Sequence, residues 1–155
     1  MFERKLIAGW GDMDFNAHMR NTAYLDKSAD VRMMYFAEQG FPMAEFRRLR
    51  LGPVVMQDRI DYFRECHLLD EITVRLSLSG LAADGSRMAM CNEFWRSGEL
   101  AARVTSIAGW LDLERRKLTS PPEALRQALE GLGRSADFSP LPGIGEAHAS
   151  TSVAI

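Results

Sequence analysis

A chain of 155 residues with 46% hydrophobic and 26% charged side chains is typical of one globular domain, and not of a disordered or membrane-embedded protein. Its formal net charge of −2 gives no reason to expect nucleic acid or an anionic membrane surface as a partner. The N-terminal residues carry no apolar signal region and the two cysteines are too few for a disulfide framework, so we expect a cytoplasmic protein.

The first forty residues contain a strand pattern and a helix pattern with a polar loop between them. Residues 2–10 alternate mildly and predict a first strand. Residues 21–39 predict a long helix with Asn21 as N-cap. Its apolar residues recur at helical spacing: Leu25, Ala29, Met33 and Phe36. Further apolar residues on the remaining faces indicate a helix that is buried nearly all round.

After Gly40 and Pro42 the periodicity changes from helical to two. Four more strands are predicted, over residues 53–64, 71–79, 87–95 and 100–113. A short helix follows at residues 123–129, after two prolines. We therefore expect one domain over residues 1–130 and a loosely packed or extended tail over residues 131–155, which are rich in Gly, Pro, Ala and Ser.

These elements predict an α+β fold in which a five-stranded antiparallel sheet wraps around the long helix. The fold also has a short C-terminal helix and an irregular tail. One open sheet leaves an edge and apolar surface exposed, so we expect the chain to pair with a second copy. Trp10, Trp95 and Trp110 fall in strand patterns and are interpreted as packing residues.

The loop before the long helix carries the chemically informative residues. Asp14 lies close to the helix start, where free backbone N–H groups can hold a developing oxyanion while the carboxylate acts as base or nucleophile. Asn21 would determine where those N–H groups point, and His18 could orient or polarise a substrate carbonyl. Asp12 would brace the loop through backbone hydrogen bonds.

Two other interpretations of this loop remain open from the residues alone. Asp, Asn and His are common in polar loops because they make turns and caps, so the loop could be purely structural. A metal site formed by Asp12, Asp14 and His18 is possible in ligand type, but no second ligand cluster is evident and we expect no metal. His67 and His148 are interpreted as isolated, solvated residues.

The pattern Asp12-x-Asp14-x-x-x-His18-x-x-Asn21-x-x-Tyr24, leading into a helix and then four strands, resembles the hotdog-fold thioesterases. The similarity is to the 4-hydroxybenzoyl-CoA and long-chain acyl-CoA thioesterase group, over roughly residues 2–115. It implies that Asp14 is the catalytic carboxylate and that the backbone N–H near Asn21 polarises the thioester carbonyl.

The resemblance also implies further contacts and partners. His18 matches a histidine frequent in this group, and Tyr24 an aromatic residue on the first helical turn. Arg20 stands where members often carry a second asparagine. We expect Asn16, Arg20 and Tyr24 to contact the substrate. The family implies a dimer, which can pair again into a tetramer, with joined sheets and the active site at the interface. CoA is part of the substrate, with no other cofactor, and its phosphates would meet basic side chains among Arg59, Arg64, Arg115, Arg116 and Lys117.

Three functions follow as hypotheses. The first is hydrolysis of an acyl-CoA or acyl-carrier-protein thioester. The second is a hydratase or dehydratase on the same fold, which the order Asp14, Asn16, His18 resembles. Those enzymes usually place Pro where this chain has Ala17, with a longer spacing to the histidine. The third is a non-catalytic acyl-CoA-binding protein.

Overall fold

The computed structural model of the protein describes residues 1–146. Strands form where apolar and polar side chains alternate, and helices where apolar residues recur every three or four positions. The elements in chain order are β1 Phe2–Ile7, α1 Asn21–Glu38, α2 Met43–Leu49, β2 Leu51–Tyr62, β3 Glu71–Ala82, β4 Arg87–Arg96, β5 Glu99–Asp112, β6 Lys117–Leu118, α3 Glu123–Glu130 and β7 Arg134–Leu141. A 3-10 turn over Trp10–Asp12 follows β1.

The main path of the sheet has the strand order β1-β3-β4-β5-β2, and each neighbouring pair is antiparallel. The short β6 pairs with β5, and β7 pairs with β3 in parallel. Tight turns connect β3 to β4 and β4 to β5, where Gly85 and Gly98 adopt positive φ angles. Strand β2 ends the main path, so one of its edges has no partner strand within residues 1–146.

Helix α1 packs one face against the sheet. The rings of Phe36 on α1 and Trp110 on β5 lie 5.5 Å apart, and the Tyr35 hydroxyl donates a hydrogen bond to the Ala128 carbonyl of α3 at 2.5 Å. The buried residues of α1 are Ala23, Tyr24, Ser28, Val31, Tyr35 and Phe36. The α+β class is therefore confirmed, but the sheet has seven strands within residues 1–146 and not the predicted five, because β6 and β7 also pair with it. None of the helices within residues 1–146 is long and apolar enough to cross a membrane.

The prediction that α1 is buried nearly all round is wrong for this chain by itself. Asp26, Asp30 and Ala37 on its other side are exposed, because the carboxylates remain solvated and no element of residues 1–146 covers that face. Trp10 is also not a packing residue: it lies in the 3-10 turn and is 82% exposed. Trp110, in contrast, is fully buried as predicted.

The segment after Gly131 is more regular than predicted. Arg134–Leu141 forms β7 beside β3, so this part of the predicted irregular tail is a strand. Leu132, just before it, is buried in the core and anchors the segment. Helix α2 was not predicted either. Residues 147–155 of the predicted tail lie outside the described residues, and with them His148.

Candidate active site

Asp14 lies in a tight turn that its own carboxylate stabilises. Asp14 Oδ1 accepts hydrogen bonds from the backbone N–H groups of Asn16 at 2.8 Å and His18 at 3.1 Å. The Asp14 N–H donates to the His18 carbonyl at 2.8 Å, and Ala17 takes a positive φ of 61°. The other oxygen, Oδ2, has no hydrogen-bond or ion-pair partner in the described part of the chain. The carboxylate is exposed in the single chain, not partly desolvated as the sequence suggested.

The start of α1 differs by one residue from the predicted cap. Arg20 is the N-cap, with extended backbone at φ −75° and ψ 158°, and Asn21 is the first helical residue. The Arg20 N–H donates to the Asp12 carbonyl at 2.8 Å, and its guanidinium hydrogen-bonds the Gly11 carbonyl and the Thr22 hydroxyl. These bonds hold Arg20 outside the helix. Its own side chain does not cap α1, so the first N–H groups of the helix remain available to a ligand.

The Asp14 turn and the start of α1 open into one cavity of about 480 Å³. Its lining residues are Asp14, His18, Met19, Arg20, Asn21, Tyr24, Tyr62, Phe63, Arg64 and Glu65. Five of the six residues predicted for the site therefore come together. Asn16 does not: it is exposed and outside the lining, because its role in the turn is to donate its N–H to Asp14. The chemical roles of the five stay predictions.

Tyr24 forms the buried wall of this cavity. It is 1% exposed, and its ring lies edge-on to Phe94 at 5.1 Å and to Tyr62 at 5.5 Å. Burial, followed by a hydrogen bond shared with the Cys66 thiol, raises the pKa of the Tyr24 hydroxyl. Burial likewise raises the pKa of Cys66. Both groups therefore remain protonated, and Tyr24 contributes shape and apolar surface to the cavity, not a charge.

The end of β2 and the residues that follow it supply most of the lining residues that the sequence did not predict. Tyr62 and Phe63 are about half exposed, at 54% and 50%, and an exposed aromatic pair at a strand end is the signal that could have identified them. Arg64 belongs to the five basic residues considered for CoA phosphates, and it is the one of those five that lines the cavity. Its guanidinium pairs with Glu99 at 3.2 Å.

Next to the cavity, the structure brings His18, Glu65 and His67 together. His18 and His67 face each other in an isolated antiparallel bridge, with ring centroids 5.3 Å apart. Glu65 Oε2 lies 3.1 Å from His18 Nε2 and 3.8 Å from His67 Nε2. The interpretation of His67 as an isolated residue is therefore wrong, because the bridge that brings it to His18 joins segments far apart in the chain.

Asp12 braces the loop from the other side. Its Oδ2 accepts the Gly9 N–H at 2.8 Å and pairs with Lys27 Nζ at 2.9 Å. Burial by itself would raise the pKa of Asp12, but the hydrogen bonds from Lys27 and Gly9 and the charge of Lys27 outweigh it and hold the pKa below the ordinary value. The structure does not bring Asp12 together with Asp14 and His18, so these three side chains do not form the metal site that was considered from the sequence.

Comparison with known proteins gives a family match over most of the chain. The model of the Thioesterase-like superfamily matches residues 8–129, a range that includes every residue of the cavity lining. A search of curated proteins finds no match.

Solved structures show the same fold at low sequence identity. A 1,4-dihydroxy-2-naphthoyl-CoA thioesterase from Synechocystis aligns with a TM-score of 0.76 at 18% identity, over 84% of this chain and 96% of that one. A hypothetical protein from Staphylococcus aureus in complex with CoA aligns with a TM-score of 0.77 at 19% identity, over 99% of this chain and 94% of that one. A gentisyl-coenzyme A thioesterase aligns with a TM-score of 0.73 at 16% identity, over 82% and 98%.

Proposed function

We propose, because the chain belongs to the Thioesterase-like superfamily, that it hydrolyses an acyl thioester of CoA or of an acyl-carrier protein to a free acid and a thiol. The observation that carries this proposal is that Asp14 and Asn21, the first residue of α1, line one cavity. Two of the similar structures are named as CoA thioesterases and one is in complex with CoA, which supports CoA as the thiol.

In the proposed reaction Asp14 Oδ2 takes a proton from water, and the hydroxide attacks the thioester carbonyl carbon. The carbonyl oxygen becomes an oxyanion beside the backbone N–H groups of Asn21 and Thr22, where the positive end of the α1 dipole favours negative charge. The C–S bond then breaks and the leaving thiolate takes the proton from Asp14. In the alternative route Asp14 attacks the carbonyl carbon itself, and the C–S bond breaks to release the thiolate. Water then hydrolyses the resulting anhydride to the free acid and the Asp14 carboxylate, and the remaining proton goes to the thiolate.

The same geometry suggests how substrate would lie. The aromatic rings of Tyr24, Tyr62 and Phe63 offer apolar surface for the acyl group. Arg64 and Arg20 provide positive charge at the cavity lining, and guanidinium groups bind phosphates through paired N–H donors. We assign Arg64 to the CoA phosphates, because its side chain is 60% exposed and its ion pair with Glu99 is a surface one.

We also propose that the active unit contains two copies of the chain. The cavity opens at the end of β2, a strand with one unpaired edge within residues 1–146, and unpaired edges favour strand addition. A second copy beside β2 would extend the sheet, and it would cover apolar residues that are now exposed on β2 and α1, such as Val55 and Met34. Within each copy the sheet would wrap around α1, and pairing would desolvate Asp14.

The decisive variant is Asp14→Asn. Its side-chain oxygen can still accept the N–H groups of Asn16 and His18, so the turn is preserved, whereas an amide cannot take the proton or attack. Purified protein is assayed for free thiol against a panel of acyl- and aryl-CoA thioesters. We expect a fall in kcat of about 10²-fold or more with retained substrate binding.

The matched control is Asp30→Asn, which removes the same charge from the exposed side of α1 and should leave the rate unchanged. Full thiol release by Asp14→Asn would overturn the assignment of Asp14. Loss of an enoyl-CoA without free thiol would instead indicate a hydratase. Tight acyl-CoA binding by the unmodified protein with no turnover on any thioester would indicate a binding protein.

A further inference from the structure

His18, Glu65 and His67 form a compact set of donor atoms that the proposed hydrolysis does not use. One donor atom from each lies within 4.8 Å of the other two. The carboxylate oxygen Glu65 Oε2 lies near both rings, 3.1 Å from His18 Nε2 and 3.8 Å from His67 Nε2. Two imidazoles and a carboxylate are a ligand set for divalent transition metals, as in catalytic zinc sites.

The backbone holds the two histidines in this arrangement. His18 and His67 are paired in an antiparallel bridge, and the Met19 N–H next to His18 donates to the Cys66 carbonyl next to His67 at 2.8 Å. The His67 N–H donates to Asp70 Oδ2 at 2.7 Å. The backbone positions of both ligands are therefore determined before any ion binds, which lowers the ordering cost of binding.

We propose that His18, Glu65 and His67 bind one divalent transition-metal ion of the Zn²⁺ type at the edge of the Asp14 cavity. A tetrahedral Zn²⁺ with bonds of about 2.0–2.1 Å needs donor atoms roughly 3.3 Å apart. The 3.1 Å between His18 Nε2 and Glu65 Oε2 already fits. The 3.8 Å between His67 Nε2 and Glu65 Oε2 has to shorten by roughly 0.5 Å to reach that spacing. The side chains of His67 and Glu65 are 50% and 63% exposed, so they have room to rotate.

A carboxylate that could orient the His67 ring is also present. Metal at Nε2 requires the ring proton on Nδ1, and Nδ1 faces Asp70 Oδ2 at 3.7 Å. A carboxylate behind a metal-bound imidazole is a common arrangement that orients the ring and raises its basicity. Arg96 now lies 3.0 Å from Nδ1 and also contacts Asp70 and the Glu65 carbonyl. On metal binding it would keep the last two contacts.

Three protein ligands leave a fourth position of the metal open. Because His18 and Glu65 line the cavity, that position would face the cavity and hold water. Mg²⁺ and Ca²⁺ prefer all-oxygen ligands, so the site would discriminate against them. This proposal does not depend on thioester hydrolysis, because the proposed reaction gives no step to His18 or Glu65, although both side chains line the cavity.

The test measures metal binding directly, on tag-free full-length protein freed of metal with a chelator. Co²⁺ is added as a spectroscopic probe, because its visible absorption reports imidazole ligation and a four-coordinate geometry. Zn²⁺ is then titrated calorimetrically. We expect one Co²⁺ per chain, displaced by Zn²⁺ and not by Mg²⁺. His67→Gln should weaken Zn²⁺ binding by at least about 100-fold, and Asp70→Asn by about 10-fold, as for the loss of an outer partner.

The control is His148→Gln, which removes the one remaining histidine of the sequence and should leave binding unchanged. Circular dichroism checks that each variant folds. An unchanged affinity in His67→Gln, an equal loss in His148→Gln, or no Co²⁺ spectrum would each overturn the site. Since none of these readouts uses thioester cleavage, failure here is distinct from failure of the proposed hydrolysis.

Discussion

The two carboxylate oxygens of Asp14 have different surroundings. Oδ1 accepts two backbone N–H groups of the turn, and Oδ2 has no hydrogen-bond partner within residues 1–146. The structural and the chemical interpretations of this residue are therefore compatible, because each involves a different atom. For this reason Asp14→Asn tests the chemistry, whereas Asp14→Ala would also remove the acceptor that stabilises the turn.

Arg64 is the basic residue whose position predicts a binding role. Arg64→Ala should raise KM for a CoA thioester about tenfold with little change in kcat, because a phosphate contact far from the carbonyl is equally strong in the ground and transition states. Initial rates over a range of substrate concentrations measure this. Arg59→Ala is the matched control, since Arg59 lies on β2 shortly before Arg64 in the chain but is not among the residues that line the cavity. An equal effect in both variants would contradict the assignment.

The Asp12–Lys27 pair predicts how stability depends on pH. The pKa of Asp12 is lowered below its ordinary value in the folded protein. The ionised carboxylate therefore adds to the free energy of unfolding at pH values above the pKa of Asp12 in the unfolded chain, and this stabilisation is lost as the pH falls through the pKa in the folded protein. Lys27→Met should lower the free energy of unfolding by about 1 kcal/mol at neutral pH, and by markedly less at an acid pH below the lowered pKa of Asp12, where that carboxylate is protonated. Urea unfolding at both values measures the difference.

Lys5→Met provides the comparison for that experiment. Lys5 Nζ pairs with Glu71 at 3.5 Å, and the two side chains are 70% and 61% exposed, so the pair should contribute little at any pH. An equal loss for Lys27→Met at neutral and at acid pH would show that the charge of Asp12 is not the cause.

At the scale of elements, β7 depends on a glycine in β3. An added Cβ at Gly80 would lie 2.9 Å from the Ser139 carbonyl oxygen and 3.1 Å from Leu141 Cγ, both on β7. Gly80→Ala should therefore displace β7 and destabilise the fold by about 1–3 kcal/mol. Hydrogen exchange of the amides of residues 134–141 should accelerate. Gly133→Ala is the control, since its Cβ meets open space, and an unperturbed β7 in Gly80→Ala would contradict this account.

At the scale of the whole molecule, the prediction concerns assembly through β2. Val55 on β2 is 46% exposed and lies beside α1. Burying the charge of a lysine at a subunit interface would cost association free energy. If the proposed dimer forms through β2, Val55→Lys should convert it to a monomer and lower thiol release, as measured by light scattering and the thiol assay. Met43→Lys places the same charge on an exposed apolar residue of α2, and the dimer should persist. A dimeric Val55→Lys would place the interface elsewhere.

Sequence periodicity was sufficient to predict the main helix and four of the strands, because each depends on a pattern of neighbouring residues. Helix α1 and strands β2 to β5 lie close to their predicted bounds, since an apolar period of 3.6 or 2 depends on neighbours along the chain. The turns at Gly85 and Gly98 follow from the positive φ that glycine accepts. Helix α2 and strand β7 were missed because their apolar signal is weak, and β7 exists through its contact with β3.

The α+β class could be predicted from the sequence, because apolar periodicity depends on neighbouring residues. The same holds for Asp14 and the four further predicted residues that line one cavity with it, because all five lie within one short segment next to a helix start. Two features could not be predicted from the sequence: the end of β2 completes the cavity, and His67 and Glu65 lie beside His18. These features depend on contacts between segments distant in the chain, and packing in three dimensions decides which of them meet.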